Sequence, residues 1–355
     1  MKNIIQISPT YPPNIGGVGH YAELLANHLI RKGIKSKFFV SDFSNYSKSN
    51  KIELFGKKTS SLSKLLESNK AKEVILHFSG YGYATRGLCF DLIKSIKEWK
   101  ERNKERRLVT IFHEIYATGP IYRMSFWTYL PQKYLAKNLF KLSDVVLTTT
   151  RENSLTLSAF KPKKKIILSS VFSNIGEIKY NKSLYKRKEI AIIFGGIYQK
   201  KVLYKDISLN QEKYLKLLNK LLIKKIVDVG PKIRSLKEIG HIPIKSIGIK
   251  SKKFISNLLG DTKAGLIFYP VSQMPKSGIV ASYIAHGVLI INFCKKKIVR
   301  NNEFVSGLHF ISDIEEKNSR IYQKIANRAN KLYKNNSIIK TTSLISNFFK
   351  KGNIL

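Results

Sequence analysis

Acidic residues are the scarce component of this 355-residue chain: 23 Asp and Glu stand against 64 Lys and Arg, a net charge of +41. Cysteine is scarcer still. Cys89 and Cys294 alone cannot build a disulfide framework or a Cys-rich metal site, and such sparing use fits a reducing compartment. No stretch approaches the ~18 consecutive apolar residues of a membrane-spanning helix. The opening MKNIIQISPTYPP, with one lysine and a short apolar run, does not read as a signal peptide. The expected location is therefore cytoplasmic. No D-x-D pair occurs to hold Mg²⁺, and Asp313-Ile314-Glu315 is the nearest approach. RRM, KH and zinc-finger signatures are also missing, so nothing beyond charge points to nucleic acid, and no specific nucleic-acid partner is expected.

What is present is enough for two domains. Residues are 43% hydrophobic, sufficient to bury a core in each. The basic excess is spread along the chain: residues 1–175 hold 29 basic and 12 acidic residues, and the remainder 35 and 11. Such a surface attracts polyanions, whether nucleic acid, an anionic leaflet or a phosphorylated substrate. The dominance of Lys, with abundant Ile and Asn, equally fits a drift in composition.

Apolar β-like runs alternate with helical spacing. NIIQIS (3–8), KFFVSD (37–42), EVILHFS (73–79), RLVTIFHE (107–114) and DVVLTTT (144–150) are separated by helical patterns at 21–33, 87–103 and 127–143. The pattern restarts after a polar stretch, with strands at 189–196, 225–231, 264–270 and 288–293 and helices at 209–222, 251–260 and 277–287. Continuous apolar strands between helices predict parallel sheets covered on both faces. The expected organisation is an N-terminal Rossmann-like domain over 1–175, a linker at 176–188, a second Rossmann-like domain over 189–318, and basic helices over 319–355, with a cleft between the domains.

Between the first strand and the first helix lies PTYPPNIGGVGH (9–20). Gly17-Val18-Gly19-His20-Tyr21-Ala22 fits G-x-G-x-x-A, and Asp42 follows at the end of the second strand, as a dinucleotide-binding oxidoreductase would require. The spacing argues otherwise, because eight residues separate the strand from Gly17, whereas that fingerprint turns immediately. Three prolines are expected to hold the intervening loop extended, leaving Gly16 and Gly17 at the helix entry to face an anion with bare N–H groups. A long structural turn is the plain alternative.

The run P-x-x-P-P-x-x-G-G-x-x-x-Y-A-x-x-L-A-x-x-L-x-x-x-G after a strand resembles the N-terminal signature of GT-B fold glycosyltransferases, in the large retaining group that uses nucleotide sugars. TIFHEIYATGPIYRMSFW (110–127), VFSNIGE (171–177), IFGGIYQK (193–200) and KSGIVASYIAHGVLIINF (276–293) resemble further segments of its bacterial exopolysaccharide and lipopolysaccharide branch, in family order. The resemblance implies two Rossmann-like, doubly wound α/β domains facing across a cleft, the first taking the acceptor and the second the donor. It implies a nucleoside diphosphate sugar as substrate, no separate cofactor, and a saccharide or lipid-linked acceptor. Placement at the inner face of a membrane, against anionic lipid, is compatible with it. The chain departs from the family where most members carry two glutamates with seven residues between them. Here Pro275, Lys276, Ser277 and Gly278 and then Ser282 and Tyr283 stand instead, so the donor's identity is open. A transferase-like protein without activity, or a polyanion-binding protein, would explain the same departure.

Transfer from a sugar nucleotide requires stabilising charge on a leaving diphosphate. Without a carboxylate pair for a metal, cations, backbone donors and helix N-termini are expected to do this. Lys200, the Gly16-Gly17 loop, Gly195 and Gly196, and Lys276, Ser277 and Gly278 are the candidates. By resemblance His113 contacts the donor sugar or the reacting centre, and Glu114 lies near the acceptor hydroxyl. Glu114 would serve as general base in an inverting reaction, whereas His113 would act by hydrogen bonding in a retaining one. Tyr116, Arg123 and Trp127 form the expected acceptor wall, with a bilayer interface as the other use of that aromatic and basic stretch. His20 could reach phosphate or lie in solvent. His286, before a helix-ending Gly287, reads as structural.

Overall fold

Strand β1 (Lys2–Ser8) carries the NIIQIS run and pairs in parallel with β2 (Ile34–Val40) on one side and β4 (Glu73–Phe78) on the other. In the computed structural model it lies within a seven-stranded parallel sheet. Strands β3 (Ile52–Leu54), β5 (Arg107–Phe112), β6 (Val145–Thr148) and β7 (Ile166–Leu168) complete the order β3-β2-β1-β4-β5-β6-β7. The structure describes residues 1–14, 16–41, 52–55, 62–117, 119–160, 164–178, 181–295, 303–313, 319–335 and 337–351. Asp42 lies outside them.

The chain divides into two units, Met1–Ser170 with Asn336–Leu355, and Val171–Asn335. Helices of the first unit are α1 (Gly17–Ile30), α2 (Leu62–Ser68), α3 (Gly80–Tyr83), α4 (Phe90–Glu101), α5 (Met124–Trp127), α6 (Tyr129–Leu142) and α7 (Arg151–Ser158). One face of the sheet buries Ile5, Ile7, Leu76 and Phe112 against Leu92, Trp99 and Leu139 of α4 and α6. On the other face Phe38 and Val40 meet Ala22 and Ala26 of α1. Burial on both faces is why these strands read as unbroken apolar runs.

The second unit has strands β8 (Lys188–Phe194), β9 (Lys225–Val229), β10 (Glu238–Ile239), β11 (Ile242–Gly248), β12 (Thr262–Ile267) and β13 (Leu289–Asn292), in the order β10-β11-β9-β8-β12-β13. All pairings are parallel except β10 with β11. Its helices are α8 (Ile197–Leu209), α9 (Gln211–Lys220), α10 (Lys252–Asp261), α11 (Gly278–Ala285) and α12 (Ser319–Asn335). Helix α11 packs unusually close to the sheet: a Cβ at Gly265 of β12 would sit 2.3 Å from the Tyr283 ring. It ends at Gly287 (φ +64°), whose N–H donates to the Ile284 carbonyl (3.1 Å) while Val288 N–H donates to Tyr283 (2.9 Å), a Schellman ending. The last helix, α13 (Ile338–Lys351), belongs to the first unit.

Three expectations about organisation differ from the structure. Several short elements (β3, β7, β10, α2, α3, α5 and α7) were not anticipated, nor were the longer α8 and β11, because α8 has no strong apolar stripe and β11 contains Pro243 and carries few buried residues. The division falls at Ser170, and the stretch expected as a linker at 176–188 lies inside the second unit. There the buried Arg187 donates to the carbonyls of Lys182, Leu259, Thr262 and His286, tying that stretch to the ends of α10 and α11. Burial lowers its guanidinium to about 10. The two helices beyond 318 go to different units. Among the described residues no helix is long and apolar enough to cross a membrane.

Candidate functional site

In both sheets the strand order reverses beside the first strand, between β1 and β4 and between β8 and β12. Ligands of such sheets sit beyond the carboxyl ends at these switch points. The predicted residues can therefore be placed unit by unit.

In the first unit the loop after β1 folds back instead of running extended. Asn14 N–H donates to the Tyr11 carbonyl (3.1 Å), Tyr11 packs on Phe38, and Ser41 Oγ donates to the Pro9 carbonyl (3.1 Å). This places Thr10 under the start of α1. A Cβ at Gly16 would lie 2.6 Å from Thr10 Oγ1, and one at Gly19 would lie 2.7 Å from the Thr10 carbonyl oxygen. Gly17, by contrast, has nothing within 4 Å of such a Cβ. Gly16 and Gly19 thus answer to close packing, and Gly17 presents open backbone. Eight residues do separate Ser8 from the helix, so the loop lacks the immediate turn of a dinucleotide fingerprint. His20 is half-buried and lies 3.7 Å from Glu23.

His113 and Glu114 leave the end of β5 together, both N–H groups directed at the Phe78 carbonyl. The His113 side chain is buried, and its Nε2 lies 3.3 Å from Nδ1 of His77 on β4. Tyr21 of α1 stands edge-on to His113 at 4.9 Å between ring centroids. Burial raises the Tyr21 phenol far above its usual range. Glu114 is exposed and accepts a hydrogen bond from Ser79 Oγ at 2.8 Å, beyond β4. The start of α1, the end of β4 and the end of β5 therefore converge around His113.

Tyr116 is half-buried, with its ring against Tyr129 at 5.1 Å; burial first, then Tyr129, raises its hydroxyl to about 12. Arg123 and Trp127 are exposed on or beside α5, which buries no residue. With Tyr122 and Leu130 they make an apolar, basic surface, held in shape by Trp127 Nε1 donating to the Ile121 carbonyl (3.1 Å). Thr118 lies outside the described residues. A separate cavity of about 990 Å³ lies at the opposite, amino-terminal ends of β4, β5 and β6, lined by Lys72, Lys100, Lys104, Lys141 and Lys164.

In the second unit Gly195 and Gly196 follow β8. The Tyr283 hydroxyl accepts from Phe194 N–H (3.1 Å), which pins the end of β8 to α11. A Cβ at Gly195 would lie 2.9 Å from Ile279 Cδ1, so the glycine loop and the start of α11 are brought together. Gly230 (φ +118°), after β9, has room for no side chain, because its Cβ would lie 2.4 Å from the Gly195 carbonyl. Ser277 caps α11, its Oγ accepting from Val280 N–H (3.3 Å). Gly278 faces Asn174, and Lys276 is half-buried beside it.

Lys200 departs from its expected role. It is 1% exposed, lies 2.5 Å from Asp228 Oδ1 and donates to the Pro231 carbonyl at 2.7 Å. Its position, one turn into α8 on the buried side, points it at β9, and the exposed neighbour is Lys201. His286 is structural: Nδ1 donates to the Ser282 carbonyl (2.7 Å), and Nε2 accepts from Ser256 Oγ (2.8 Å). Among the described residues no group of three or more His, Cys, Asp or Glu is arranged to hold a metal ion.

No family model matches the sequence, and no curated protein does. Solved structures match along nearly the whole chain. One is an alpha-glucosyltransferase in complex with UDP and a 13-mer DNA containing a HMU base (TM-score 0.58, 11% identity, covering 98% of this chain and 99% of that one). Another is a glycosyltransferase from Rickettsia africae ESF-5 (0.60, 14%, 99% of each chain). A third is WaaG, a glycosyltransferase involved in lipopolysaccharide biosynthesis (0.59, 11%, 98% and 100%). The fold is GT-B.

On this GT-B frame His113 and Glu114 follow the carboxyl end of β5 in the first unit, and in the second Gly195 and Gly196 follow that of β8 while Ser277 and Gly278 open α11. The sequence reading missed Gln6, His77 and Ser79 beside His113, and Tyr283 and Gly230 beside Gly195. Gln6 and His77 had a signal of their own, as polar residues inside otherwise apolar strands.

Proposed function

We propose that this protein is a glycosyltransferase that moves a sugar from a nucleoside diphosphate donor to a saccharide or lipid-linked acceptor. The observation that carries the reading is the convergence, within the second unit, of the Gly195-Gly196 loop and the start of α11 at the switch point of a GT-B sheet. A diphosphate there meets backbone N–H groups at the start of α8, the first turn of α11 and the half-buried Lys276. The buried Lys200–Asp228 pair holds α8 against Pro231 and so fixes the loop from behind. In the first unit His113 contacts the sugar being transferred, and Glu114 lies by the acceptor hydroxyl. The exposed surface around Arg123 and Trp127 receives the acceptor, and its apolar, basic character suits a lipid-linked one at an anionic membrane.

A nucleic-acid acceptor is the second reading. The net charge of +41 favours it, as does the DNA-bound state of one structural neighbour.

Thermal shift with UDP, GDP, ADP, CMP, NAD⁺ and pyrophosphate at moderate salt tests the donor site, followed by turnover of the matching sugar nucleotide with lipid-linked, saccharide and DNA acceptors. One nucleoside diphosphate should stabilise the protein more than pyrophosphate, and Ser277→Ala should weaken that shift. Equal, salt-sensitive shifts for every anion would remove the donor site. Transfer to DNA alone would select the second reading.

A further inference from the structure

Gln6 and His77 are both fully buried, and the reading above gives neither a task. Their place is set by strand register. Gln6 pairs with Phe38 of β2 and with Ile75 of β4, and His77 pairs with Ile111 of β5. Residues two apart on a strand share a face. Ser36 therefore stands one step before Gln6 on the same face, His77 one step beyond it, and His113 one step beyond His77. The four side chains climb the sheet diagonally toward the carboxyl ends: Gln6 Nε2 donates to Ser36 Oγ (2.8 Å), Gln6 Oε1 lies 2.8 Å from His77 Nε2, and His77 Nδ1 lies 3.3 Å from His113 Nε2.

The proton positions follow from the chemistry of each group. An amide oxygen only accepts, so His77 Nε2 carries the hydrogen. A neutral imidazole has one N–H, so His77 Nδ1 is then an acceptor and His113 Nε2 must donate to it. Burial, reinforced by His113, keeps His77 well below its ordinary value and hence neutral.

We propose that Gln6 and His77 are positioning residues that fix His113 as the Nε2–H tautomer, so that His113 gains and loses its proton at Nδ1. The functional value of this ladder rests on the reading that His113 contacts the transferred sugar; the ladder itself does not.

Long-range ¹H–¹⁵N correlation spectra of the full-length ¹⁵N-labelled protein at neutral pH, without substrate, test the ladder directly. Wild type should show His77 and His113 each as a single Nε2–H tautomer. Gln6→Met keeps the size of the side chain and removes the acceptor, and should mix the tautomers at both histidines. His77→Asn puts an amide oxygen near the place of Nδ1 and should keep His113 in the Nε2–H form, whereas His77→Leu should not. An Nδ1–H tautomer at His113 in wild type would overturn the proposal without recourse to any variant. So would a His113 tautomer unmoved in a folded Gln6→Met protein. Where a sugar nucleotide is turned over, Gln6→Met should lower kcat about tenfold and leave the donor KM unchanged. Mixed tautomers with unchanged kcat would deny the ladder its positioning role, whereas absence of all turnover in wild type would count against the transfer reading only.

Discussion

Lys200 Nζ forms an ion pair with Asp228 Oδ1 at 2.5 Å and donates to the Pro231 carbonyl at 2.7 Å, with both partners of the ion pair 1% exposed. Asp228 Oδ2 accepts in turn from the Tyr204 hydroxyl at 2.8 Å. A buried pair of this kind is weak evidence of net stabilisation, but removing one partner leaves a charge stranded in a low dielectric. Lys200→Met and Asp228→Asn should each lower unfolding free energy by about 3–5 kcal/mol. The double variant should cost clearly less than the two singles together, because it strands no charge. Denaturant titration of the four proteins decides this. Strict additivity would mean that the two groups do not depend on each other, and the account of Lys200 as a brace for the glycine loop would fail. The motif had placed this lysine in the right stretch. Its direction was not legible, because the period of α8 is weak and the carboxylate that captures it lies 28 residues away.

Helix α13 shows how far local sequence reaches at the level of elements. Its basic, helical character was readable, but its destination was not. It joins the first unit from the far end of the chain by contacts that no local window contains. Thr341 Oγ1 meets Ser169 Oγ at 2.6 Å, Arg107 donates to the carbonyls of Phe348 (3.0 Å) and Phe349 (3.2 Å), and Lys350 donates to that of Lys32 (2.7 Å). Ile345 and Phe349 are fully buried. Deleting residues from 337 onward should lower the melting temperature of the first unit and leave that of the second near its original value. Hydrogen exchange should localise the loss to α1, β1 and β2. Uniform loss of protection in both units would show that α13 is not a private support of the first. The strands were legible because burial on both faces makes them continuously apolar. Strand β11 escaped because Pro243 and its exposed alternate positions gave it the composition of a loop.

Charge and buried histidine act on the whole molecule in the same direction. At +41 the folded chain repels itself, and each proton added on acidification increases that repulsion. Each unit also holds a histidine that folding keeps neutral, His77 in the first and His286 in the second, both lowered from the ordinary value of 6.5 chiefly by burial. The unfolded chain takes up these protons as pH falls through about 6.5, whereas the folded chain does not. Over that window the unfolded state binds more protons. The stabilisation is therefore complete above about pH 6.5 and is lost as pH falls below it toward the lowered folded values. Salt separates the two causes, because it screens the general repulsion of exposed charges and leaves the penalty on buried imidazoles intact. Denaturant midpoints measured from about pH 8 to about pH 5 should fall with pH at low salt and less steeply at high salt, with a residual slope below about pH 6.5. His286→Gln, which replaces the imidazole by an amide that does not titrate, should reduce that residual slope in the second unit alone. A high-salt profile flat between about pH 6.5 and about pH 5 would mean that the buried histidines accept protons as readily folded as unfolded. The neutral His77 on which the polar ladder to His113 depends would then have no support in the energetics of the fold.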